Sequence, residues 1–122
     1  MADREKLFIM ATHGPEDAEL ATIPFVMGCA ALATEIDVVM GFQAEGVRLV
    51  HRGVADKVEA PEFPPLAKLL DDYRELGGKL LVCSPCIKSR EIPAEALVEG
   101  TEIVAAARFV VEITSATNSL VY

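Results

Sequence analysis

Two thiols three positions apart, in Cys83-Ser84-Pro85-Cys86, are the groups in this sequence best suited to chemistry. A cysteine attacks as the thiolate, a form favoured by helix amino-terminal amides and by a nearby cation. The run Lys79-Leu80-Leu81-Val82-Cys83 reads as a buried strand, and Pro85 suits the first turn of a helix, where its missing N–H costs nothing. Cys83 is therefore expected to end a strand and Cys86 to start a helix. Lys88 and Arg90 follow within two turns and are read as supporting cations, so that a thiolate is expected at neutral pH. His13, in the turn Thr12-His13-Gly14, is a further supporting candidate, as a base or hydrogen-bond donor, beside the plainer reading of a solvated turn histidine. Such a pair suits sulfur transfer, and it suits dithiol redox chemistry through a small disulfide. The spacing does not decide between them. The structural alternative is that both are small buried hydrophobes, and for Cys29, inside an apolar segment, that reading is preferred.

Other chemistries find less support. Cys83-Ser84-Pro85-Cys86 looks like the thioredoxin loop, but only residues 87 to 122 follow it, and no later segment reads as the hairpin which that fold requires. Zinc needs about four ligands, and His13, His51 and Cys29 have no finger-like spacing, so no metal is expected. His51, beside Arg52 and Gly53, reads as a surface residue. No G-x-G-x-x-G, phosphate loop or serine elbow is present, and no cofactor is expected.

The elements that must hold the thiols alternate between strand and helix. Residues 6 to 12 form an apolar run stopped by His13-Gly14-Pro15, hence a strand and a turn. A helix is expected over residues 15 to 34, with Pro15 at its first position and a kink or restart at Pro24. Its middle is apolar nearly all round, which calls for cover on more than one side and suggests a second subunit. Residues 36 to 42 read as a parallel strand buried on both faces, and residues 47 to 50 as a short strand or extended loop. Residues 55 to 65 are a proline-rich loop. Leu66, Leu69, Leu70, Tyr73 and Leu76 recur at helical spacing, closed by Gly77-Gly78. After the cysteines come a short helical turn over 93 to 98, a strand over 102 to 104, a helix over about 105 to 117, and a last strand over 119 to 122. This alternation predicts an α/β fold, a mostly parallel sheet of about five strands with helices on both faces. In such sheets sites lie outside the carboxyl ends of the strands, where Cys83, Cys86 and the Thr12-His13-Gly14 turn are all expected.

A chain of 122 residues suits a single domain over 1 to 122, and 52% hydrophobic residues are enough for a core. The formal charge of −8 argues against nucleic acid and against acidic membrane surfaces. The charged start Met-Ala-Asp-Arg-Glu-Lys does not read as a signal peptide, the longest weakly charged run is too short to span a bilayer, and three cysteines are an odd count for a disulfide framework. A cytosolic protein with reduced thiols is expected.

Taken in order, these segments resemble the DsrE/DsrF-like family, with its TusD and YchN types. The resemblance runs from Thr12-His13-Gly14 through Ile36-Asp37-Val38-Val39-Met40-Gly41-Phe42, Gly46-Val47 and Gly53-Val54-Ala55 to Leu76-Gly77-Gly78-Lys79-Leu80-Leu81-Val82-Cys83. The stretch Ile87-Lys88-Ser89-Arg90-Glu91-Ile92 is similar to the family's basic segment. The resemblance implies a three-layer, flavodoxin-like domain, assembly into homotrimers or homohexamers, and, in some members, a cysteine persulfide relayed between protein thiols. Cys83 matches the position of the sulfur-carrying cysteine. The chain departs from the relay subunits in its second thiol, Cys86, and in Glu91 where the family often has glycine. The leading expectation is a persulfide carrier or sulfurtransferase acting through Cys83 and Cys86. The alternatives are an oligomeric binding or scaffold module and a dithiol oxidoreductase.

Overall fold

Five parallel strands make one sheet in the computed structural model, which describes residues 4–122: β1 (Lys6–Ala11), β2 (Asp37–Phe42), β3 (Lys79–Cys83), β4 (Thr101–Val104) and β5 (Asn118–Val121). Their order is β4-β3-β2-β1-β5. The α-helices are α1 (Ala18–Ala33), α2 (Leu66–Glu75), α3 (Ser84–Ser89) and α4 (Ala106–Thr114). Residues 1 to 3, read above as part of a charged start, lie outside the described residues. Among the described residues no helix is long and apolar enough to cross a membrane.

The inner strands are apolar on alternate and intervening positions alike because both faces of the sheet are covered. Ile9, Ala11, Val38, Met40, Phe42, Leu80 and Val82 face a large core closed by Phe25 of α1 and by Leu66, Leu69, Leu70 and Tyr73 of α2. Phe8, Met10, Val39 and Leu81 face a small one, closed by Phe109 of α4. Phe109 meets Phe8 edge to face, with ring centroids 6.3 Å apart.

The connectivity explains why the two cores are so unequal. The crossovers from β1 to β2, β3 and β4 all step the same way across the sheet, and right-handed crossovers in one direction leave their helices on one face. Only the return from β4 to β5, on the far side of β1, carries a helix to the opposite face. Neighbouring strands β3 and β4 are thus followed by helices on opposite faces. That is a topological switch point, where such sheets open a crevice beyond the strand ends.

Several boundaries differ from those expected. Helix α1 starts at Ala18, because Asp17 takes the N-cap and its carboxylate accepts the Leu20 N–H at 3.0 Å, which leaves Pro15 in the preceding turn. It continues through Pro24 as one helix. Its second cover is α2, in this same chain. The segment after β2 is a 3₁₀ helix, Ala44–Val50, in place of a strand: Gly46 lies so close to β1 that a Cβ there would stand 2.1 Å from the Ala11 carbonyl oxygen. Helix α4 stops at Thr114, since the Thr117 N–H already bonds the Lys6 carbonyl at 2.8 Å as the chain enters β5.

Candidate functional site

Cys83 is the last residue of β3 and the N-cap of α3, and it lies in register with Val104 at the end of β4. It therefore sits at the switch point, and it packs against both cores, as its place between the two faces requires. Cys86 lies in the first turn of α3 and packs against the large core alone. Both are half-buried free thiols. Helix α4, with Ala105 as its N-cap, follows Val104, the partner of Cys83 in β4; no side chain caps it, and the open amides of a helix start favour negative charge.

The electrostatics differ from the expected thiolate. Burial pushes the Cys83 thiol above its ordinary value, and the neighbouring Cys86 thiol adds to the effect. The Cys86 amide and the Arg90 charge pull the other way without prevailing. Burial prevails because the helix start offers little against it. Helix α3 has only six residues, so few peptide dipoles add up. Arg90 is held on both sides: its Nε donates to Glu45 Oε1 at 2.9 Å, and its Nη1 to the Cys86 carbonyl and to Ser89 Oγ, each at 3.2 Å.

The other predicted residues gather less closely. Lys88 is exposed, with no ion pair among the described residues. His13 Nδ1 meets Glu16 Oε2 at 3.0 Å, and no hydrogen bond joins His13 to either thiol. Its turn packs instead on the loop after β2, where a Cβ on Gly14 would lie 2.4 Å from the Glu45 carbonyl oxygen. Cys29 donates to the Leu69 carbonyl at 3.5 Å, between α1 and α2, and burial pushes its thiol up. Among the described residues, no group of three or more His, Cys, Asp and Glu side chains is placed to hold a metal.

Glu45 is the residue that sequence reading missed. Its carboxylate accepts from Arg48 Nε at 2.6 Å and from Arg90 Nε at 2.9 Å, and these two hydrogen bonds hold it below the usual carboxylate range. The Arg48 contact, three residues on, is a pairing a sequence can suggest. The Arg90 contact, across 45 residues, is visible only in the fold.

The family model of the DsrE/DsrF-like family matches residues 5–121. The chain belongs to the DsrE/DsrF-like family. Two curated relatives come from Methanocaldococcus jannaschii. Uncharacterized protein MJ0760 is 34% identical over 105 residues, 86% of this chain and 38% of its own length. Uncharacterized protein MJ0989 is 32% identical over 99 residues, 80% of this chain and 82% of its own. The chain thus spans well under half of the first relative's length. The crystal structure of the ychN protein from E. coli superposes with a TM-score of 0.82 at 20% identity, covering 97% of this chain and 99% of that one. At that identity the likeness shows the fold, and the DsrE/DsrF-like sheet is the one described above.

Proposed function

We propose that the protein carries sulfane sulfur as a persulfide on Cys83, with Cys86 as the second thiol. The observation that supports this most is the placement of Cys83 at the carboxyl end of β3, at the switch point, with Cys86 in the adjoining helical turn. Membership of the DsrE/DsrF-like family is consistent with a sulfur-relay role.

The step needs no oxidant. The Cys83 thiolate attacks the outer sulfur of a donor persulfide; the new S–S bond forms on Cys83 as the donor's S–S bond breaks. The donor leaves as a thiolate and takes up the proton that Cys83 gave up. An acceptor thiolate, Cys86 or a partner protein's, then attacks the same outer sulfur and releases Cys83. A thiol raised above the ordinary range supplies less thiolate, but each thiolate is the stronger nucleophile. The half-exposed position suits hand-over between proteins. A cleft of about 490 Å³, lined by Arg52, Asp56, Asp71 and Arg74 among others, includes neither thiol, and a carrier that meets protein thiols needs no enclosed pocket.

The partners in this reading are protein donor and acceptor thiols, and free cysteines suit a reducing compartment such as the cytosol. A homo-oligomer, trimer or hexamer, completes it. Val110, Val111 and Ile113 of α4 and Val121 of β5 are exposed on the thinly covered face, the surface that a second copy would bury.

The spacing of the two thiols across the start of α3 favours a second reading, dithiol oxidoreduction, in which a partner disulfide is reduced to two thiols as Cys83 and Cys86 join. Intact mass after exposure to inorganic polysulfide separates the two. A gain of sulfur that reductant removes and that Cys83→Ser abolishes supports the carrier. A loss of two hydrogens, with no sulfur gained even in the Cys86→Ser protein, supports the disulfide and rules the carrier out.

A further inference from the structure

We propose that Glu45 is a positioning residue for the thiol site: it anchors the Arg90 guanidinium against α3 and so fixes where the cation that acts on Cys83 stands. The carboxylate is well placed to be an anchor, because its own backbone is wedged. Gly14 closes on the Glu45 carbonyl, Gly46 closes on the Ala11 carbonyl, and Ala44 between β2 and Glu45 takes a left-handed φ of 51°. Its side chain is fixed at both oxygens, Oε2 by Arg48 at 2.6 Å and Oε1 by Arg90 at 2.9 Å. Arg90 is thereby turned so that Nη1 meets the Cys86 carbonyl at 3.2 Å, in the first turn of the helix that Cys83 caps.

The charged neighbours define the direction of the effect. Arg90 is the cation whose charge acts on Cys83, while Glu45 does not figure among the groups that do. Glu45 faces Arg48 and Arg90, and the His13–Glu16 pair stands in the turn packed on its loop. The carboxylate therefore works through the guanidinium. Without it Arg90 is free to swing into water, and the field that partly offsets the burial of Cys83 weakens. This role rests on Cys83 being the working thiol, so its test reads the thiol and not the sulfur.

The experiment follows iodoacetamide alkylation of Cys83 against pH in the full chain carrying Cys29→Ser and Cys86→Ser. Glu45→Gln and Arg90→Gln are each expected to raise the midpoint by about half a pH unit, slowing alkylation about three-fold below it. The double variant should move no further than Arg90→Gln alone, because the two residues act as one unit. Arg90→Lys, which keeps the charge but not the Nε contact, should also raise the midpoint. A midpoint that falls or stays put in Glu45→Gln while Arg90→Gln raises it overturns the proposal. So does an unchanged midpoint in Arg90→Lys, a test that stands even if Glu45→Gln does not fold. Failure of sulfur loading with these shifts intact would remove the carrier reading and leave the positioning role in place.

Discussion

Cys83 combines a reactive position with an environment that resists ionisation. Because burial raises its pKa, the thiolate accumulates only as pH climbs past the ordinary thiol value of about 8.5. Iodoacetamide alkylation of Cys83 in the Cys86→Ser protein should therefore still be rising steeply, about ten-fold per pH unit, between about pH 7 and 8.5. A plateau already reached at neutral pH would contradict the geometry. The same shift links to stability with a definite sign. A raised folded value means that the native state holds the proton more tightly, so the contribution is complete below the unfolded thiol value and fades as pH rises through the folded one.

Helix ends and clamps carry the next set of consequences. Helix α3 closes with the Ile92 N–H on the Ile87 carbonyl and the Glu91 N–H on the Lys88 carbonyl, a Schellman pattern whose left-handed residue is Glu91, with φ of 55°. A glycine would take that conformation without strain. Glu91→Gly should stabilise the protein by up to about 1 kcal/mol in urea denaturation, since relief of left-handed strain outweighs the added freedom of the unfolded chain. The opposite face is held by charge: Lys6 of β1 pairs with Glu112 of α4, and Arg108 links Glu112 to Glu102 of β4. The Lys6 hydrogen bond chiefly holds the Glu112 carboxyl below its usual range. Its contribution is present above the unfolded value of about 4.3 and is lost as pH falls through the lower folded one. Glu112→Gln should accordingly flatten the acid limb of a stability-against-pH curve, and an unaltered limb would count against the clamp. These features mark where the sequence was and was not readable. The apolar run into Cys83, and Leu66 to Tyr73 at helical spacing, announce their elements because period and burial coincide. The 3₁₀ helix after β2 and the Glu45–Arg90 pair depend on close approaches between distant segments. The thiol field was overestimated because counting nearby cations does not show how strongly burial opposes them.

The assembled molecule is lopsided by virtue of its connectivity. Three crossovers load one face of the sheet, and a single nine-residue helix serves the other, so Val110 is 57%, Val111 59% and Val121 73% exposed. If that face is where copies meet, Val111→Asp should shift sedimentation toward the monomer while leaving the circular dichroism spectrum intact; an unchanged oligomer would place the contact elsewhere. Connectivity also places the proposed sulfur carrier, since the switch between β3 and β4 leaves Cys83 at the end of its strand with both cores beneath it. The most direct measurement is fragmentation mass spectrometry of polysulfide-treated protein, locating the bound sulfur to a residue. The added atom should be found on Cys83, both in the native sequence and in the Cys86→Ser protein. Sulfur found solely on Cys29 or Cys86, or on no cysteine at all, would contradict the account.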